Sequence, residues 1–115
     1  MASSQPIRVL LVEDNPTDAL LVEEALAESR DFRLIHTDRL SSALDKLRSG
    51  SFDVVLVDLG LPDSQGWNTL LQLRRAEPEI TIIVMTCIDD EELGLRAVQE
   101  GAQDYLVKGQ MPANM

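Results

Sequence analysis

Asp53-Val54-Val55-Leu56-Val57-Asp58 is an apolar, β-branched run closed by a carboxylate, and it has counterparts elsewhere in the chain. Ile7-Arg8-Val9-Leu10-Leu11-Val12 runs into Glu13-Asp14, and Tyr105-Leu106-Val107 runs into Lys108. Continuous apolar character suits strands whose two faces are both covered by helices, as in a parallel sheet. In such a sheet the carboxyl ends of the strands form one rim, and ligands bind there. Glu13, Asp14, Asp58 and Lys108 are therefore expected to converge on one small site. The chemistry implied is a cation site beside a reactive aspartate.

Between these runs lie amphipathic stretches, so the chain reads as successive βα units. Asn15-Pro16 opens the first helix, with asparagine as cap and proline at the first helical position. Leu21, Val22, Ala25 and Leu26 are expected on its inner face. Phe32 to Thr37 reads as a short edge strand. Leu40, Ala43, Leu44 and Leu47 follow at helical spacing until Gly50. Gly60, Pro62 and Gly66 mark an ordered loop leading to a helix with Trp67, Leu70 and Leu71 on one side. Ile80 to Met85 forms the fourth strand, ending at Thr86. Asp89 with Glu92 makes an acidic capping box, flanked by Ile88 and Leu93 as a hydrophobic staple. Gly94 weakens that helix by about 1 kcal/mol relative to alanine, and Gly101 stops it before the fifth strand, Asp104 to Val107.

Composition narrows the function. At 115 residues, 44% apolar with four aromatics, the chain is one α/β domain with an aliphatic core. Ten Lys and Arg against twenty Asp and Glu give a net charge of -10, which opposes direct binding of nucleic acid. The single cysteine, Cys87, allows no intrachain disulfide, and no stretch approaches the roughly 18 apolar residues of a membrane span. The chain therefore reads as cytoplasmic, without a membrane partner.

Magnesium takes about six oxygen ligands and keeps several waters, so a few carboxylates and a backbone carbonyl suffice. Asp14 and Asp58 supply direct oxygens, Glu13 reaches through water, and the Gly60 carbonyl lies just after Asp58. An aspartate so placed can attack a phosphoryl group. The charge on that group calls for Lys108 and the Thr86 hydroxyl at neighbouring strand ends.

The ordered set Glu13-Asp14, Asp58, Pro62 and Gly66, Thr86, and Tyr105 with Lys108 resembles the receiver domain of two-component response regulators over residues 7 to 109. The resemblance implies a doubly wound, five-stranded parallel sheet in the order 2-1-3-4-5. It implies Asp58 as phosphoacceptor, Mg2+ held by Glu13, Asp14, Asp58 and the Gly60 carbonyl, Lys108 on the phosphoryl group, and Thr86 with Tyr105 as the switch pair. It implies a histidine kinase or histidine phosphotransfer protein as donor, and a downstream output domain or protein partner as reader. Such a module is not an enzyme in its own right.

Gly109 stands where the family usually has proline, and Cys87 where Ala or Gly is common. The Lys-Gly-Gln ending is similar to receivers attached to sensor kinases or other multidomain signalling proteins, and less like those joined to DNA-binding output domains. A fifth helix is expected to begin at Gly109, and the reading is that this helix is missing. A homodimer through the uncovered sheet face would then compensate.

Plainer readings stand beside these. Lone His36 on an edge strand reads as structural, Cys87 as a small buried hydrophobe, and Trp67 as packing under the loop after the third strand. A flavodoxin-like cofactor site would set Glu13-Asp14 against a phosphate, and a haloacid dehalogenase-type phosphatase would want an aspartate where Gly60 stands. The remaining rival is an interaction module that keeps the fold and works without phosphorylation.

Overall fold

The computed structural model describes residues 5–86, 91–99 and 101–107. The strands are β1 (Ile7–Val12), β2 (Phe32–Thr37), β3 (Val54–Asp58), β4 (Gly60–Leu61), β5 (Ser64–Gln65), β6 (Thr81–Thr86) and β7 (Asp104–Val107). The helices are α1 (Pro16–Ala27), α2 (Leu40–Ser49), α3 (Trp67–Ala76) and α4 (Glu91–Gln99). Five strands form one sheet in the order β2-β1-β3-β6-β7, every neighbouring pair parallel. With the two-residue strands set aside, this is the expected 2-1-3-4-5. The expected loop after the third strand is itself folded into the β4–β5 hairpin.

Alternate residues of the central strands feed two cores, as the two-residue period of a strand requires. Leu10, Val12, Val55, Val57, Ile82 and Val84 pack with α2, α3 and Ala97 of α4. Val9, Leu11, Leu56 and Met85 pack with Ala19, Val22 and Leu26 of α1 on the other face. Full burial of each such side chain contributes about 2 kcal/mol. On the α1 face Val54, Ile83 and Leu106 are only partly buried. The expected missing fifth helix falls on residues outside those described, as does the dimer reading that depended on it.

Helix α1 is capped as expected, the Asn15 side chain accepting from Thr17 and Asp18 N–H. Two helix-face expectations need correction. Leu21 is half exposed and Ala19 takes the inner position, while Leu71 is likewise half exposed and Leu73 is fully buried. Leu21 and Leu71 each sit one position from a buried residue, Val22 and Leu70, and 100° of helical rotation is enough to carry them off the core. Trp67 packs against the α2/α3 core, with the Arg96 guanidinium 5.6 Å from its ring. The expected cap at Asp89 and staple at Ile88 lie outside the described residues.

Gly66 connects the hairpin to α3 at φ 62°, a backbone conformation that glycine adopts without strain. Opposite the carboxyl rim, Arg74 of α3 ties three segments together. It donates to the carbonyls of Pro78 (3.1 Å), Ile80 (2.6 Å) and Gly101 (2.9 Å).

Helix α2 has no side-chain cap of its own at Arg39. Asp63, in the turn between β4 and β5, supplies one across space, accepting from Leu40 N–H at 2.8 Å and Ser41 N–H at 2.9 Å. Partial loss of water alone would raise the Asp63 carboxyl, but the Ser41 and Leu40 donors outweigh it and hold the carboxyl below its ordinary value. A carboxyl lowered on folding adds stability above its unfolded pKa, and that stability is lost as the pH falls from about 4 through the folded value. Asp63→Ala is expected to cost about 1 kcal/mol at neutral pH. In urea melts the difference from wild type should shrink at acidic pH; a pH-independent difference would remove the cap from the explanation.

Candidate functional site

Parallel register brings the acidic residues together. Val12 pairs with Val57, so the next residues, Glu13 and Asp58, emerge side by side at the carboxyl edge of β1 and β3. A carboxylate oxygen from each of Glu13, Asp14 and Asp58 lies within 4.8 Å of the other two. Glu13 is fully buried, Asp58 half-buried and Asp14 exposed. The turn from β1 into α1 is held locally, Asn15 N–H donating to Glu13 Oε2 at 3.2 Å. Across the rim, Gly60 N–H donates to Asp58 Oδ1 at 3.0 Å and so fixes the rotation of that carboxylate. Gly66 N–H closes the hairpin onto the Leu59 carbonyl at 2.9 Å.

Three carboxylates this close repel one another, and a carboxylate out of water needs donors or a cation around it. Two oxygens bound to one magnesium ion at about 2.1 Å lie from about 3 to 4.2 Å apart, so these residues need to move by no more than about 2 Å to share an ion. Hard oxygen donors with an open, solvent-facing side fit such a cation. A cavity of about 460 Å³ along α3, lined by Trp67, Asn68, Leu70, Leu71 and Arg74, holds none of these acids, so it is not the chemical site.

Residues 9–115 match the response regulator receiver domain family. The chain belongs to that family. The two-component response regulator ARR2 of Arabidopsis thaliana is 36% identical over 104 residues, covering 89% of this chain and 15% of that protein. The swarming motility regulation protein RssB of Serratia marcescens is 37% identical over 102 residues, covering 89% and 46%. This chain thus spans less than half the length of either relative. Among solved structures, a response regulator from Chloroflexus aurantiacus J-10-fl shares the fold with a TM-score of 0.81 at 24% identity, covering 90% of this chain and 86% of that one. The bacteriophytochrome response regulator RtBRR gives 0.76 at 28% identity, covering 91% and 70%.

The receiver's other expected residues are placed unevenly. Thr86 ends β6 and pairs with Val107 of β7, one residue beyond the Asp58–Met85 pair, so its backbone belongs to the acidic rim. Tyr105 pairs with Val84 and packs half-buried against the α2/α3 core. The strand β7 is described as far as Val107, and Lys108 and Cys87 lie outside the described residues. Gly60 presents its N–H to Asp58; the sequence had suggested its carbonyl for the metal. From the sequence, His36 reads as structural, away from this site. His36 Nε2 lies 2.8 Å from the Glu13 carbonyl. The only sequence signal for it was its place near the end of the strand beside β1.

Proposed function

We propose that this receiver domain accepts a phosphoryl group onto Asp58 and relays it as a change of surface. The observation that carries this reading is the cluster of Glu13, Asp14 and Asp58 at the carboxyl edge of a parallel sheet. The donor is a phosphohistidine of a histidine kinase or histidine phosphotransfer protein. An Asp58 oxygen bonds to phosphorus as the phosphorus–nitrogen bond breaks, and the imidazole leaves with the electron pair and takes up a proton. Glu13, Asp14, Asp58 and the Gly60 carbonyl would hold Mg2+, which when bound offsets the negative charge of the carboxylates and the incoming group.

The Gly60 N–H holds one oxygen of the Asp58 carboxylate. Lys108 would take the phosphoryl oxygens, and Thr86 with Tyr105 would turn that contact into a shift of the β6–α4–β7 face. An output domain or protein partner would read this face. A chain of net charge -10 is suited to a protein reader and opposes direct binding to nucleic acid. Among the described residues no helix is long and apolar enough to cross a membrane. The expected setting is the cytoplasm, where kinases draw on ATP. The domain acts as a signalling module, and its own chemistry is confined to gaining and losing this phosphoryl group.

Incubation with acetyl phosphate and Mg2+ should add one phosphoryl group by intact mass spectrometry, and a chelator should prevent it. No gain under these conditions would overturn the reading in favour of an interaction module that keeps the fold without the chemistry.

A further inference from the structure

The segment between β1 and α1 carries two of the three carboxylates, and β2 holds it from the side. Strand β2 pairs with β1 through Leu11–His36 and Val12–Thr37. Beyond that register the Thr37 carbonyl accepts from Glu13 N–H at 3.0 Å. The His36 ring reaches the other backbone group of the same residue, with Nε2 2.8 Å from the Glu13 carbonyl oxygen. A carbonyl only accepts, so Nε2 carries the proton. On the far side of the ring, Glu23 Oε1 of α1 stands 3.9 Å from Nδ1, beyond hydrogen-bond distance.

Both polar backbone groups of Glu13 are thus tied to β2, one by main chain and one by His36. The Glu13 carbonyl belongs to the same peptide plane as the Asp14 N–H. Holding that carbonyl therefore fixes the direction in which the chain delivers Asp14. Asp14 is exposed and close packing does not hold it in place, so its position depends on the backbone on either side. We infer that His36 is a positioning residue for the acidic site: its Nε2–H orients the Glu13–Asp14 peptide so that the two carboxylates meet Asp58 in a geometry that accepts a divalent cation. This inference rests on the metal-binding part of the proposed function. It assigns to a residue outside the acidic set a share of the site's affinity, since groups that orient metal ligands commonly change that affinity when removed.

The His36 side chain is 29% exposed, so its replacement opens no sealed cavity. Glutamine places an amide nitrogen the same number of bonds from the backbone as Nε2, whereas asparagine reproduces only the position of Nδ1. The test is isothermal titration of the full chain with MgCl2, comparing wild type with His36→Ala, His36→Asn and His36→Gln, alongside melting temperatures without metal. His36→Ala and His36→Asn are expected to bind Mg2+ about tenfold more weakly, and His36→Gln to recover most of the wild-type affinity. A merely structural histidine would show melting temperatures that vary among the variants with an unchanged Mg2+ dissociation constant. That result, with wild type binding normally, overturns the inference alone. Absence of Mg2+ binding by wild type overturns the metal reading and the inference with it. Should His36→Ala fail to fold, the Asn and Gln pair decides: equal affinity in the two overturns the inference, and weaker binding by Asn alone supports it.

Discussion

Asp58→Asn is expected to abolish phosphoryl acceptance while leaving the fold intact. The two side chains have nearly the same shape, and the amide oxygen of asparagine can still accept the Gly60 N–H that holds Oδ1 at 3.0 Å. The β4–β5 hairpin, and through Asp63 the start of α2, should therefore stay in place. What changes is the nucleophile, because an amide is far less reactive toward phosphorus than a carboxylate. The substitution also removes one of three mutually repelling charges within 4.8 Å, so the metal-free melting temperature should stay level or rise. Intact mass spectrometry with acetyl phosphate and Mg2+ reads the first outcome, and thermal denaturation in a chelator reads the second. A full mass gain in the variant would place the phosphoacceptor elsewhere. A large drop in melting temperature would mean that the Asp58 charge itself stabilises the metal-free fold, since asparagine keeps the acceptor for the Gly60 N–H.

The sheet was legible because its strands are written in an unusually direct way. Val9 to Val12, Val55 to Val57 and Ile82 to Met85 are apolar at successive positions, and short β-branched runs of this kind suit strands covered on both faces. The charges that stop the first two of these runs fall on one rim for the same reason, which is why Glu13, Asp14 and Asp58 were readable as a group before any geometry. Helix faces were less legible. In α1 the adjacent Leu20 and Leu21 are both half exposed while the smaller Ala19 is buried, so side-chain size misleads where register decides.

Least legible were contacts between polar groups distant in sequence. Asp63 caps a helix that begins 23 residues earlier, and Arg74 joins carbonyls on either side of β6. His36 meets the backbone of Glu13 across 23 positions. Nothing in the local pattern marks such partners, because they depend on which loops the finished sheet brings to the same edge. The β4–β5 hairpin belongs to this class as well. Its glycines and proline announced a turn, but the pairing of Gly60 with Gln65 and of Leu61 with Ser64 follows from the burial of Leu61 under α2 and α3.

Asp14→Ala should remove the response to magnesium without harming the metal-free domain, and the sign of each part follows from burial. Asp14 is exposed, so its truncation forfeits little packing and opens no cavity. It sits among Glu13, which is fully buried, and Asp58, so its loss relieves repulsion in the absence of metal. The metal-free melting temperature is therefore expected to equal or slightly exceed that of wild type. With metal the order reverses. A ligand that binds only the folded state stabilises it by RT ln(1 + [L]/Kd), about 1.4 kcal/mol at ten times Kd. For a domain near this size that is a rise of about 4 to 8 °C in melting temperature. Wild type should show this rise with MgCl2, and Asp14→Ala should show none over the same range. Sodium chloride at matched ionic strength separates binding from screening, because screening relieves the same repulsion without needing a divalent ion. A rise of equal size in both proteins would mean that Glu13 and Asp58 hold the ion by themselves. A rise in neither would remove magnesium from the site and leave Asp14 as an acid at the start of α1, suited only to the positive end of the helix dipole.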